Sequence, residues 1–436
     1  MAEAPSGGAR LVRALRHRNY RLFFGGQTVS LVGSWITRVA TGWLVYRLTG
    51  SELLLGVVAF AGQIPMLVLA PFGGVLGDRW DRRRILIVTQ MLSAAQSLTL
   101  AVLVFTDLIT VPYLIALQTV QGIINAFDTP ARQAFVVEMV EEPDDLPNAI
   151  ALNSAMFNGS RIIGPTIAGL LIVAVGEAWC FLLDGLSYFA VIASLVAMRF
   201  APRVRTRTDT HMFEELRAGV GYIFGFPPVT ALLVQVTLVS IMGMPYTVLM
   251  PVIAAKVLHG GPGTLGLLMT ASGAGALLGT VYLASRHTVL GLGKVIIAST
   301  VALSVGLIAF SFSRTIAVSM VILPLVGAGM MLQSAAANTI LQTIVDEKLR
   351  GRVMAFYSMA VLGTQPLGSL AAGAIADRIG AQHTILIGAI ACLFGALWFA
   401  TRRKKLAEHV RPIYIERGIL PWEEGTMVPV DAGRIR

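Results

Sequence analysis

Charge is scarce in this sequence. Of its 436 residues only 13% are Asp, Glu, Lys or Arg while 55% are hydrophobic, against the roughly 25% charged residues of ordinary soluble domains. That balance excludes a typical soluble enzyme and implies a polytopic membrane protein. Cysteine is rarer still: Cys180 and Cys392 both fall inside apolar runs, which excludes a disulfide framework and predicts reduced, packed thiols. No zinc-ligand spacing occurs, so no metal is expected. There is no Gly-rich phosphate loop followed by Lys-Ser or Lys-Thr, so no nucleotide drives the protein and no cofactor is implied. The six His are scattered mostly through loops, and paired catalytic His or Ser-centred motifs are lacking, which argues against an enzyme. The first eighteen residues are basic and polar, without an apolar core and small-residue cleavage site; no signal peptide is expected, and the first helix should direct insertion.

What is present is a series of apolar runs, about twelve of them, each near the ~20 residues that a bilayer requires. They cover roughly 20–46, 52–76, 84–105, 111–135, 148–175 and 179–199, then 228–255, 264–284, 294–312, 316–344, 353–376 and 382–401. The expected fold is an all-α integral membrane protein with two six-helix bundles, 20–200 and 228–401. A 1–19 tail, a 201–227 linker containing a short surface helix around Glu214–Arg217, and a polar, partly disordered 402–436 tail complete it. An even count puts both termini on one side. Arg10, Arg13, Arg16, Arg18 and Arg21, then Arg203, Arg205 and Arg207, then Arg402, Arg403, Lys404 and Lys405 fall on that side, whereas only Arg47, Lys256, Arg314 and Arg378 lie near the other. The asymmetry makes the basic face cytoplasmic, in the cytoplasmic (inner) membrane. It also accounts for the net charge of +10 without a nucleic-acid partner.

The halves carry a faded repeat. A shift of 204 residues aligns Ser154 with Ser358, Gly159 with Gly363, Gly164 with Gly368, Ala168 with Ala372 and Gly169 with Gly373, as in transporters built from repeated units. Chance coincidence of small residues is the competing explanation, since membrane helices use them freely.

Polar residues inside the spans carry the functional expectation. Gln118, Gln121, Asn125, Asp128 and Arg132 recur every three or four residues and so share one helical face. Ser30, Ser34, Thr37, Arg38 and Thr41 form a similar stripe. Intramembrane charge faces a bundle interior or a water-filled cavity, so a central cavity is expected, with Asn158, Gln235, Gln333 and Asn338 as further polar lining. Interhelical hydrogen bonding is the alternative for the uncharged members. Arg38, Asp128, Arg132 and Arg161 are the candidate cavity or proton-coupling charges. An Asp128 alternately buried and paired would change its proton affinity with access, while a static Asp128–Arg132 or Asp128–Arg38 bridge is the structural alternative. Glu52 and Asp184 are reserves nearer the outer side.

The segment Gly73–Arg84 places Gly74, Gly77, Asp78, Arg79, Arg82 and Arg83 between the second and third runs. It resembles motif A of the major facilitator superfamily, G-x-L-A/G-D-R-x-G-R-R/K, a gating loop; Asp81 stands where the turn glycine belongs. A purely topogenic basic loop is the alternative. Gly164-Pro165-Thr166-Ile167-Ala168-Gly169 is similar to motif C of the antiporter branches, with Ala168 replacing one glycine, and a plain kinked helix competes with that reading. Gln118 occupies the position of the Arg of motif B. The run Asp128–Phe135, then Leu146–Ser154, Asn19–Phe23 and Leu48–Ser51, resembles the enterobactin-exporter-like branch. That resemblance implies export of an amphipathic siderophore, antibiotic or drug by proton antiport, with the small molecule, protons and the lipid bilayer as partners. Facilitated uptake of a nutrient and a non-transporting sensor or enzyme remain alternatives. The close-packing glycines serve internal contacts as readily as dimer contacts, so no oligomeric state follows.

Overall fold

The computed structural model describes residues 13–140, 142–199, 221–286 and 288–421, excepting the side chains at 70, 71, 73–79, 143 and 348. The central linker lies outside the described residues up to position 220. After a 3-10 turn at Arg13–Arg16 come α1 (Arg18–Thr49), α2 (Glu52–Arg79), α3 (Arg82–Phe105), α4 (Val111–Met139), α5 (Leu146–Val175) and α6 (Glu177–Ala197). The second half contains α7 (Pro227–Val257), α8 (Pro262–Ala284), α9 (Leu292–Phe312) and α10 (Ile316–Ile344). It continues with α11, formed by Glu347–Ser358, a π turn at Met359–Gly363 and Gln365–Ile379, and ends with α12 (Ala381–Glu416). Ten of these helices are long and apolar enough to cross a membrane by length and composition. The other two, α1 and α4, are the ones that carry the polar stripes.

Most helix ends differ from the sequence expectation by a few residues, and at the second–third connection and the last helix the local reason is visible. The second helix does not end at 76 but continues to Arg79, so the charged segment is mostly helix and the connection shrinks to Trp80 and Asp81. Asp81 is not a left-handed turn residue: its backbone is extended (φ −66°, ψ 114°) and its side chain accepts the Arg84 N–H, capping α3. An Asp at this position satisfies an otherwise orphan helix donor. The last helix runs on to Glu416 rather than stopping near 401. Its extension is held because Val410, Ile413 and Tyr414 pack with Val345, Val353 and Tyr357, and Arg417 donates to the Val345 carbonyl at 3.1 Å.

The 204-residue repeat reappears as geometry. Gly176 (φ 89°, ψ 171°) joins α5 to α6 and Gly380 (φ 86°, ψ 155°) joins α11 to α12, the same left-handed turn at the same offset. Both positions need glycine because other side chains clash there. The aligned glycines also do equivalent jobs. A Cβ on Gly169 would lie 3.2 Å from Gly266 Cα on α8, and one on Gly373 would lie 2.9 Å from Gly56 Cα on α2. Thus α5 crosses onto the second half as α11 crosses onto the first.

These crossings gather between mid-helix and the end away from the N-terminus. Thr166 and Thr270 hydroxyls meet at 2.8 Å, and the Lys256 ammonium reaches Glu52 at 2.8 Å, from the end of α7 to the start of α2. Ser51 donates to Asp377 at 3.3 Å beside them. The halves are therefore joined at the end opposite the basic face.

Replacing Gly373 with Leu should push α11 off α2 and lower stability by about 1–3 kcal/mol, the usual range for overpacking. Gly159→Leu, where nothing lies within 4 Å of the added carbon, should be close to neutral. Thermal unfolding of the two variants in detergent checks the contrast.

Candidate functional site

The α4 stripe shares a face, as its period requires, but most of that face is turned into its own bundle. Gln121 donates to Ser93 of α3 at 3.2 Å and to Asn125 at 3.2 Å. Asp128 accepts from Thr89 and Gln90, both at 2.9 Å, and its other oxygen lies 3.3 Å from Arg132. Only Gln118 looks elsewhere, donating to Thr41 of α1 at 3.3 Å. The partners of this stripe thus come mainly from α3 and from α4 itself. The signal was legible, because Thr89, Gln90, Ser93, Gln96 and Ser97 make a buried polar stripe within an otherwise apolar run. Two polar faces in lipid solve their desolvation problem by facing each other.

The α1 stripe behaves in the same way along most of its length. Gly26 and Gly33 bring α1 against Ser194, Ser187 and Asp184 of α6, and Ser34 donates to the Ser30 carbonyl at 3.1 Å. Asp184 is 2% exposed and accepts from Ser97 of α3 at 3.0 Å, so it joins α1, α3 and α6 at their centre. Gln235 likewise faces inward within the second half, donating to Thr300 at 3.4 Å. Asn158 donates to Ser154 at 2.9 Å and leaves its own carbonyl oxygen unpartnered; Gln333 is buried with its amide nitrogen unpartnered.

Arg38 is different. It stands well inside α1 yet its side chain is exposed. Its guanidinium lies 4.8 Å from the Trp35 ring centre, and that of Arg161, near the middle of α5, lies 5.9 Å from the same ring. Phe157 meets Trp35 edge-on at 6.0 Å. Gly164 makes this cluster possible, since a Cβ there would run into the Trp35 Cβ. From the other half, Tyr246 of α7 faces Arg161 and shares a 2.7 Å hydrogen bond with Ser272 of α8. The Gly164–Gly169 segment therefore serves both neighbours of α5: Gly164 seats α1, and Gly169 seats α8. A cavity of about 510 Å³ lies nearer the basic end, lined by Asn338, Thr339, Gln342, Thr343, Arg350 and Arg417.

Of the candidate gating residues, Gly74, Gly77, Asp78 and Arg79 have side chains outside the described residues. Arg82 pairs with Glu138 of α4 at 2.8 Å, and Arg83 donates to the Val196 carbonyl of α6 at 3.0 Å. Both tie the foot of α3 to its own half.

Residues 11–412 match the family described as transmembrane secretion effectors. The chain belongs to that family, within the major facilitator superfamily. This secretion-effector relative is 25% identical to the staphyloferrin A transporter of Staphylococcus aureus over 389 residues, covering 88% of this chain and 97% of that one. It is 26% identical to macrolide efflux protein A of Streptococcus pyogenes over 385 residues, covering 85% and 94%. In fold it is similar to a bacterial homologue of the human lysosomal transporter Spinster, with a TM-score of 0.69, 11% identity, and 94% and 99% of the two chains covered.

One cluster in this family member escaped the sequence reading, which treated its arginines as orientation signals alone. Asp145, fully buried, is contacted by Arg13, by Arg16 at 2.8 Å and by His17 at 2.8 Å. The Ala14 N–H bonds Asn148 at 2.8 Å, and Tyr20 donates to the Ala149 carbonyl at 2.7 Å. The chain start is thereby clamped to the α4–α5 connection. Burial alone would raise the Asp145 pKa, but the His17 hydrogen bond and the charges of Arg13 and Arg16 outweigh it and hold the carboxyl below its ordinary range. A depressed carboxyl contributes stability that is present above the unfolded value of about 3.9 and lost as pH falls through the lower folded value. Asp145→Asn should therefore lower the melting temperature at neutral pH, with the gap from the native chain narrowing only below about pH 4. Melting curves across that range test the clamp.

Proposed function

We propose that this chain is a secondary exporter that moves an amphipathic small molecule outward across the cytoplasmic membrane in exchange for protons. The observation that carries the reading is the uneven joining of the halves. They are seamed by glycine crossings and the Glu52–Lys256 pair at one end, while Arg38, far along α1, still meets water. A path from the basic face to mid-membrane, closed beyond it, is what one state of an alternating-access transporter requires. The basic face is cytoplasmic on the asymmetry of its loops, so both termini lie there and this state receives cargo from within the cell. The names of the relatives, one a siderophore transporter and one a macrolide efflux protein, support efflux of molecules of that kind.

Proton coupling needs a carboxyl that changes surroundings as the halves move. Asp128 meets that need in a particular way. Its ion pair is with Arg132 one turn away and its hydrogen bonds are with α3, so a shift of α4 against α3 exchanges stabilised carboxylate for desolvated acid. Asp184, buried among three helices, is the second candidate. Arg82 and Arg83, holding α3 to α4 and α6, would transmit that shift to the charged turn between α2 and α3.

Cells expressing the native chain should extrude members of a panel of dyes, macrolides and siderophores, and an uncoupler should abolish the extrusion. Asp128→Asn should remove uphill efflux but preserve downhill exchange. Efflux indifferent to both treatments would contradict proton coupling.

A further inference from the structure

Several charged groups of the first half have partners within it. Asp128 has Arg132, Thr89 and Gln90; Asp184 has Ser97; Glu177 has Arg47 at 2.8 Å. Arg38 and Arg161 break the pattern. Among the described residues neither forms an ion pair, and they act on each other as like charges. The groups facing them across the cluster are Trp35 from α1, Phe157 from α5 and Tyr246 from α7, none of them anionic. Of the two membrane carboxylates of this half, Asp128 meets Thr89 and Arg132, and Asp184 meets Ser97 on α3 and Gly33 on α1, and neither pairs with Arg38 or Arg161 among the described residues.

Two guanidinium groups set together inside a membrane bundle without a carboxylate partner among the described residues, Arg38 exposed and Arg161 half-buried, mark the place for the counter-charge of a ligand. The face of Trp35 holds both through cation–π attraction. Cation–π contact leaves a guanidinium its N–H donors, and those match a carboxylate in two-point fashion. The aromatic walls supply an apolar surface beside the charge, as a small-molecule site with a few convergent polar groups requires. Residues of both halves contribute, so a bound molecule would touch the elements that move.

We infer that Arg38 and Arg161, set around Trp35 and faced by Tyr246, form an anion site, and that the cargo is an amphipathic carboxylate or similar acid rather than a cation. The inference rests on the export reading for its direction but not for its chemistry. It also gives the site a working rule: cargo charge cancels the repulsion between the arginines, so the loaded cluster tolerates closure better than the empty one.

Three probes sharing one fluorophore test it on the purified full chain in nanodiscs: dansylglycine, its uncharged methyl ester, and cationic dansylcadaverine. Dansylglycine should bind at least about tenfold more tightly than either of the others, weaken with salt, and be displaced by citrate. Arg38→Gln and Arg161→Gln should each reduce its affinity by about tenfold or more, with Arg→Lys variants in between. Equal or tighter binding of the ester or the cation overturns the inference, as does anion binding unchanged in folded Gln variants. If those variants fail to fold, the three-probe comparison on the native chain decides alone. Anion binding without uncoupler-sensitive export in vesicles would sink the export reading and leave the site standing; export of the cation without anion binding would do the reverse.

Discussion

Close backbone contact between the two halves holds this molecule together. Lipid offers apolar helices no hydrophobic gain on pairing, so association rests on van der Waals fit and on hydrogen bonds. Gly169 against Gly266, and Gly373 against Gly56, give that fit twice, related by the internal repeat. Each crossing leaves no room for a side chain, and each lies between mid-helix and the end away from the basic face. The Thr166–Thr270 hydrogen bond and the Lys256–Glu52 ion pair add polar contacts to the same region. The halves are held there, at the end opposite the basic face.

The second constraint is the cost of charge in a low-dielectric bundle. It explains why so many polar side chains in the first half are consumed internally: α3 answers α4, and Asp184 ties α1, α3 and α6 together. Such pairing makes the half a rigid body, as a rocking mechanism needs. Arg38 and Arg161 stand out because the same economy was not applied to them, and a ligand is the simplest group that completes their electrostatics.

Much of the fold could be read from the sequence, because hydropathy and run length are nearly sufficient for helices in a membrane. The twelve spans, the two-bundle fold and the repeat register all rest on such local signals, and Gly169 with Gly373 illustrates the last. The facing of the stripes could not be read so easily. Period alone places Gln121, Asn125 and Asp128 on one side of α4 but does not say whether that side meets a cavity or another polar helix; only the matching stripe of Thr89, Gln90 and Ser93 decides it. The Asp145 clamp was hidden for a different reason, since its partners lie on distant stretches of chain. The charged turn after α2 was misjudged because helix continued through glycines that in soluble proteins end helices, and Asp81 then acted as a cap. The helical end of α12 was missed because its apolar residues Val410, Ile413 and Tyr414 are few and need the α10–α11 surface to hold them.

The proposed export cycle requires the halves to rock about these seams so that one end closes as the other opens. Spin-label distances test it most directly, and the two native cysteines, Cys180 and Cys392, are both buried, so labels report introduced sites. One pair, Asp144→Cys with Glu347→Cys, spans the basic ends; the other, Asp107→Cys with Arg314→Cys, spans the opposite ends. On addition of transported cargo and a pH gradient, the account predicts that the first distance shortens while the second lengthens. Two distances that stay fixed, or that change in the same direction, would contradict it.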